Sequence, residues 1–93
     1  MFERILNRMR DKVRTRDYII RIHADEEREA DGLSVLDVEH CIISGEVTER
    51  QRDKNTKELK YRIAGTTISG HAMEVIAKLG PTGKFEIITV YLG

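Results

Sequence analysis

The spacing of apolar residues changes at Gly45, from a helical period before it to a two-residue alternation after it. Four segments beyond this glycine, at residues 46–52, 59–63, 73–79 and 85–91, have the composition or alternation of strands. The loops between them are of hairpin length, and such loops join antiparallel neighbours. The sequence therefore predicts a four-strand antiparallel meander in the second half of the chain.

Before Gly45, the pattern predicts three helices and one strand. The first helix is amphipathic, because its apolar residues recur three and four positions apart and form one stripe. That stripe consists of Phe2, Ile5, Leu6, Met9 and Val13. We expect this helix, over residues 1–16, to bury its stripe against the sheet or against a second subunit. Residues 18–22, which are mostly aromatic or β-branched, are predicted as a strand.

A hairpin of two short helices is predicted between this strand and the meander. The first of these helices starts at His23 and ends at Gly32. The second begins at Ser34, whose side chain can cap it, and Asp37 supports its first turn. The chain is therefore predicted to be a single α+β domain over residues 1–93, with helices on one side of an antiparallel sheet of about five strands.

Length and composition restrict the class of protein further. A chain of 93 residues allows one domain. No apolar run exceeds three residues, so we expect no transmembrane helix, no signal-peptide core and no membrane partner. The single cysteine, Cys41, cannot form an internal disulfide and suits the reducing cytoplasm, where we expect the protein.

The charges are balanced in number but segregated along the chain. Residues 1–22 carry a net charge of +4, residues 23–49 a net charge of −8, and residues 50–93 a net charge of +4. Such polarity can orient a molecule on a polyanion or on a charged partner.

The sequence does not support three common kinds of catalytic site: a phosphate-binding loop, a Cys-His nucleophile pair and a metal site. The glycines are scattered through turns, so no phosphate-binding loop is present. Cys41 and His40 are adjacent in a predicted helix and point about 100° apart, which favours a buried structural thiol over a nucleophile pair. The three histidines, His23, His40 and His71, have no metal-ligand spacing, and we expect neither a metal nor another cofactor.

A basic surface is the chemical feature that remains. Arg50 and Arg52 lie on one predicted strand and Lys60 and Arg62 on the next. Because opposed side chains of a hairpin are about 5 Å apart, we expect these four cations to form one continuous positive surface. Converged cations bind phosphate and stabilise charge on a phosphoryl oxygen. We therefore predict that Arg50, Arg52 and Lys60 form a phosphate-binding surface.

Two further side chains are candidates for proton transfer. His23 stands at the junction of strand and helix and can exchange a proton near neutral pH. Its alternative role is a structural hydrogen bond that holds the helix to the sheet. Tyr91 is expected to continue the face of Phe85, Ile87 and Thr89 at the end of the last strand, where its hydroxyl group can reach solvent.

Several short stretches carry a family resemblance. They are Ile22-His23-Ala24, Asp31-Gly32-Leu33-Ser34, Asp37-Val38, Ile42-Ile43 and Gly45-Glu46-Val47, followed by Tyr61, Gly65, Val75-Ile76 and Ile88-Thr89-Val90-Tyr91. Over residues 18–92 this pattern resembles a bacterial family known only as domain of unknown function 4258, which is distantly similar to the RelE/ParE toxin fold. Four and eight positions after the motif histidine, where that family often carries Arg, this chain has Glu27 and Asp31.

The resemblance implies a toxin-like protein that cleaves mRNA on the ribosome or inhibits DNA gyrase, and that an antitoxin neutralises. RNA cleavage of this kind needs no metal: a 2′-hydroxyl group attacks the adjacent phosphate, Arg62 and Lys60 stabilise the charge, and His23 or Tyr91 moves a proton. For the activity that the resemblance implies, the predicted catalytic residues are His23, Arg62 and Tyr91, and the predicted RNA-binding residues are Arg50, Arg52 and Lys60. The alternatives are a non-catalytic module that grips a protein partner through its acidic hairpin or a sheet edge, and a homodimer closed by the N-terminal helix.

Overall fold

The computed structural model describes all 93 residues, which form three helices and five strands. The helices are α1 (Glu3–Arg14), α2 (Ile22–Ala30) and α3 (Val35–Ser44). The strands are β1 (Ile19–Ile20), β2 (Glu46–Arg52), β3 (Leu59–Thr66), β4 (Ala72–Leu79) and β5 (Phe85–Leu92). None of the three helices has the length and apolarity that crossing a membrane requires.

The five strands form one mixed sheet in the order β1-β5-β4-β3-β2. Neighbours from β2 to β5 are antiparallel, with one irregularity in the β2–β3 pair and one in the β4–β5 pair. The expectation of an all-antiparallel sheet is wrong, because β1 runs parallel to β5. The helices α2 and α3 carry the chain from the β1 edge to the β2 edge. Three hairpins then bring it back, so that β5 arrives beside β1 and points the same way.

The first strand is shorter than predicted. Only Ile19 and Ile20 pair with β5, and the Arg21 N–H donates one further hydrogen bond to the Ile87 carbonyl at 2.9 Å. Ile22, which was expected in the strand, instead begins α2 and is 79% exposed. Its β propensity is overridden because the extended Arg21 already forms the N-cap of the helix.

All three helices pack on one face of the sheet, which we call the inner face, and no helix covers the opposite, outer face. The stripe of α1 lies in the resulting core. Leu6, Met9 and Val13 are buried, while Phe2 and Ile5 pack half-buried beside them. The predicted burial of the stripe is confirmed, and the chain's own core, with α3 beside α1, covers it. A homodimer through α1, which stays a prediction, would have to use the other side of the helix.

The predicted helix ends are confirmed in the α2–α3 hairpin. Gly32 adopts a φ of 69°, a left-handed conformation that lets the chain leave α2. At the start of α3 the Asp37 N–H donates to Ser34 Oγ at 3.0 Å, and the Ser34 N–H donates to Asp37 Oδ2 at 2.9 Å. The second carboxylate oxygen of Asp37 accepts the Ile68 N–H at 3.0 Å, which ties α3 to the loop between β3 and β4.

The C-terminal half of α3 lies unusually close to β3. A Cβ atom at Gly65 would stand 2.3 Å from the Cys41 carbonyl oxygen, and one at Gly45 would stand 2.5 Å from the same oxygen. Side chains are therefore excluded at both positions, and the two backbones pack directly on one another.

Candidate functional site

The outer face of the sheet is a surface of polar side chains. The register of the strands places on it Glu49, Gln51, Lys60, Arg62, Glu74, Ile76, Lys78, Glu86, Thr89 and Tyr91. Most of these residues are half-buried, because long side chains on neighbouring strands cover one another. Three of the predicted site residues, Lys60, Arg62 and Tyr91, lie on this outer face.

The predicted continuous basic surface is wrong. Arg50 is opposed by Tyr61 and Arg52 by Leu59, so both arginines point to the inner side of the sheet. Lys60 and Arg62 point to the outer face. The hairpin loop fixes this register near the turn: it sets Arg50 and Arg52 opposite inward-facing residues of β3, and opposed residues share a face.

The two inner arginines have structural partners. The guanidinium carbon of Arg50 lies 5.8 Å from the centroid of the Phe2 ring, a cation–π contact at the start of α1. Arg52 donates from Nη1 to the Lys57 carbonyl at 2.8 Å and so closes the β2–β3 hairpin. Whether Arg50, Arg52 and Lys60 bind RNA stays a prediction.

Tyr91 lies on the outer face, and the expectation that it continues the face of Phe85 and Ile87 is wrong. The ladder between β4 and β5 shifts by one residue, so that Ile88 has no opposed partner. This bulge reverses the alternation, because two successive residues then face one neighbour. Tyr91 is consequently opposed by Glu74.

The Tyr91 hydroxyl group donates a short hydrogen bond to a carboxylate oxygen of Glu74. This bond, rather than burial, is the main cause that raises the pKa of Tyr91 above its usual value. The phenol group therefore keeps its proton at neutral pH.

Arg62 stands beside this pair. Its Nη1 lies 3.6 Å from Glu49 Oε2, and its Nε is buried with no hydrogen-bond partner. Its positive charge is close enough to lower the pKa of Tyr91, against the larger effect of Glu74. Arg62, Glu74 and Tyr91 thus form an outer-face cluster in which a guanidinium group, a carboxylate and a phenol are neighbours.

Glu74 is a member of this cluster that was not predicted from the sequence. The outward alternation of β4 places it on the polar face, but its pairing with Tyr91 depends on the bulge at Ile88. A bulge of this kind has no marker in the sequence, since Ile88 is an ordinary strand residue.

His23 does not take part in the outer-face cluster. Its imidazole Nε2 lies 3.5 Å from Glu27 Oε2, its side chain is 72% exposed, and no hydrogen bond or ion pair joins it to Arg62 or Tyr91. The alternative role, a hydrogen bond from His23 that holds the helix to the sheet, is also wrong.

Carboxylates of α2, not His23, connect this helix to the sheet. Glu27 Oε1 accepts the Val90 N–H at 3.2 Å, and Asp31 Oδ2 accepts the Leu92 N–H at 3.4 Å. These two N–H groups lie on the edge of β5 that faces β1, beyond the point where the short β1 ends. Glu27 and Asp31 therefore supply hydrogen-bond acceptors to the part of β5 that β1 leaves unpaired.

The two other candidates considered from the sequence, Cys41 and His40, contact backbone carbonyl groups within the fold. Cys41 is buried, its Sγ donates to the Met73 carbonyl at 3.6 Å, and burial raises the pKa of its thiol to about 12. His40 Nδ1 lies 2.9 Å from the Thr66 carbonyl oxygen. No group of three His, Cys, Asp or Glu side chains is placed to hold a metal ion.

Comparison with known proteins gives one match. Residues 20–92 match a family model described as "Domain of unknown function (DUF4258)". The helix α1 lies outside the matched region. No curated protein and no solved structure matches the chain.

Proposed function

The chain belongs to the DUF4258 family, and from this premise we propose that it is a toxin-like protein whose outer-face cluster cleaves RNA without a metal. The observation that supports the proposal is the meeting of Arg62, Glu74 and Tyr91 on a sheet face that no helix covers. A strand of RNA needs an open surface of this kind, since it is recognised mainly as an extended single strand.

Each member of the cluster has a role in the proposed reaction. Glu74 removes the proton of a ribose 2′-hydroxyl group, whose oxygen then bonds to the adjacent phosphorus. Arg62 donates hydrogen bonds to the non-bridging oxygens as their charge grows. Tyr91 gives its phenolic proton to the 5′-oxygen as the P–O bond breaks. The products are a 2′,3′-cyclic phosphate and a 5′-hydroxyl end.

The proposal extends to the fold and to the partners. The order of a strand and two helices followed by four hairpin-connected strands supports a likeness to the RelE/ParE toxin fold. The substrate would then be mRNA on the ribosome, and an antitoxin protein would hold the toxin inactive. In this scheme His23 is not needed for proton transfer, and Lys60 is not needed to stabilise charge at the scissile phosphate.

The test is growth arrest and RNA cleavage by the purified protein. Wild type should arrest a bacterial host, and Arg62→Gln, Glu74→Gln and Tyr91→Phe should each lower the cleavage rate by about 100-fold or more. Arg8→Gln, on the exposed side of α1, is the matched control and should keep full activity. Cleavage that survives all three outer-face substitutions would sink the proposal.

A second candidate function is the binding of a protein partner at the acidic hairpin. A groove of about 590 Å³ there is lined by Tyr18, Ile20, Val35 and Leu36. Val35 and Leu36 are neighbours in this groove and are 39% and 54% exposed, and an exposed apolar patch is typical of a contact surface. Leu36→Glu should abolish copurification with a co-expressed protein encoded by an adjacent reading frame, whereas Ile68→Glu, at a similarly exposed position elsewhere, should not. Equal effects of the two substitutions would contradict this function.

A further inference from the structure

A basic cleft lies at the end of the sheet, between the turns of the β2–β3 and β4–β5 hairpins. Its volume is about 380 Å³. Its walls carry the cations Arg52, Lys57 and Lys78 and the carboxylate of Glu58, over a floor that includes Leu59 and Leu79. Cations thus outnumber anions three to one in this cleft. None of these residues belongs to the outer-face cluster.

Lys78 is the one charged residue that the fold buries, with 9% of its surface exposed. Its Nζ lies 3.5 Å from Glu58 Oε2 and makes no hydrogen bond to a backbone carbonyl. The burial falls on the alkyl part of the side chain, because Nζ is not among the buried atoms that lack a partner and so keeps contact with water. An ammonium group has three donors, so Lys78 retains the capacity to bind a further anion.

Lys60 stands directly opposite Lys78 in the sheet. Like charges in opposed positions repel one another, and here each lysine is held by a carboxylate of the hairpin loop. Lys60 Nζ lies 3.2 Å from Asp53 Oδ2, and Lys78 pairs with Glu58. Asp53 is held in the loop because it accepts hydrogen bonds from the backbone N–H groups of Asn55 and Thr56. These bonds keep the pKa of its carboxyl group well below the usual range. The side chain of Glu58 is 44% exposed and can turn away into water.

We propose that the basic cleft binds a phosphate group of the same RNA strand whose scissile phosphate lies at the outer-face cluster. This inference rests on the proposed function. Lys60 precedes Arg62 by two residues on the same face of β3, so the two positions are about 7 Å apart along the strand. A strand of RNA that leaves Arg62 in this direction passes Lys60 and Lys78 and reaches Lys57.

The cleft suits a phosphodiester better than a small carboxylate. Ammonium and guanidinium groups on several sides can each donate to a different phosphate oxygen. The apolar floor can accept the ribose or a base, which a simple anion lacks. Bound phosphate would also relieve the repulsion between Lys60 and Lys78.

The test uses a short fluorescent RNA with 2′-O-methyl groups, which cannot be cleaved because its 2′-oxygens cannot attack. Its affinity for the full chain is measured by fluorescence anisotropy over a range of salt concentrations. Lys78→Gln and Lys57→Gln should each weaken binding several-fold and make the slope of log K against log salt shallower by about 0.7. The matched control is Lys54→Gln, an exposed lysine of the same hairpin outside the cleft, which should leave the slope unchanged.

Thermal melts of each variant separate lost binding from lost folding, and the exposed Lys57 gives a variant that does not depend on burial. Inorganic phosphate should compete with the RNA for wild type and not for Lys78→Gln. Equal losses in Lys54→Gln and Lys78→Gln would overturn the proposal, because they indicate general attraction to a basic surface. Absence of binding would overturn it as well.

The failure of this proposal can be distinguished from the failure of the proposed function. Binding that depends on Lys78, in a protein that cleaves no unmodified RNA, would refute the catalytic function and leave the cleft as a phosphate site. Cleavage that is unaffected by Lys57→Gln and Lys78→Gln would refute the cleft and leave the catalytic function.

Discussion

Replacing Gly65 by alanine tests whether the close packing of α3 on β3 is what holds the inner layer together. The new Cβ would stand 2.3 Å from the Cys41 carbonyl oxygen and 3.1 Å from its Cα, whereas ordinary contact begins near 3.4 Å. The helix must therefore move away by about 1 Å. Every obstructing atom belongs to the backbone, so no change of rotamer can relieve the overlap.

The cost can be estimated from what the movement disturbs. The helix α3 contributes Val38, Cys41 and Ile42 to the core, all with no exposed surface. Overpacking a well-packed site costs about 1–3 kcal/mol, and the rigid obstacle places Gly65→Ala at the upper end of that range. For a domain of this size, a loss of about 2–3 kcal/mol lowers the melting temperature by about 8–24 °C.

The assay is a thermal melt followed by circular dichroism, repeated in urea to obtain the free energy of unfolding. Gly80→Ala is the matched control, because a Cβ there has its nearest neighbour, the Lys84 carbonyl oxygen, at 3.8 Å. The control should stay within about 0.5 kcal/mol of wild type or stabilise slightly. If Gly65→Ala melts within a few degrees of Gly80→Ala, the reasoning from close backbone contact is refuted.

The exposed His23 predicts that His23→Ala changes the free energy of unfolding by no more than about 0.5 kcal/mol in urea melts; a larger loss would indicate a buried role. Glu27→Ala should cost about 1–3 kcal/mol in the same melts, because the N–H of the buried Val90 loses its acceptor, and Glu27→Gln should recover most of this. The Cys41 thiol, with its pKa raised to about 12, should react with iodoacetamide at pH 8 only when the chain unfolds; rapid labelling of the native protein would contradict its burial. Backbone N–H groups of Ser34 and Ile68 lower the pKa of Asp37, so the unfolded chain takes up its proton more readily. Stability gained from Asp37 is therefore present at neutral pH and lost as the pH falls below about 4, and Asp37→Asn should flatten acid denaturation curves in that window.

Local signals were enough to predict the elements of the fold. The stripe of α1 and the cap of α3 depend only on residues within a few positions of one another, and both are confirmed. The parallel placement of β1 could not be predicted in this way. The direction of β5 relative to β1 depends on the path of the chain through two helices and three hairpins. In addition, a strand of two residues is too short for its sequence pattern to indicate which strand it pairs with.

The candidate site was harder to predict because it depends on register. The alternation of β3 correctly separates Lys60 and Arg62 from Tyr61, but it does not state which residues of β2 lie opposite. A change of one residue in the effective loop length moves a whole strand to the other face. The observed loop places Arg50 and Arg52 on the inner side of the sheet. The bulge at Ile88 likewise moves Tyr91 from the predicted face to the outer face.

The acidic residues that follow His23 connect the fold to the proposed chemistry. Glu27 and Asp31 accept hydrogen bonds from the outer edge of β5, so an arginine at either position could not replace the acceptor. At these two positions, therefore, the side chains serve the structure and offer no cation to a phosphate. In the proposed function, the positive charge that binds RNA comes from the outer face of the sheet. Arg62 and the opposed pair Lys60 and Lys78 supply it there, on the strands β3 and β4 that lead to the basic cleft.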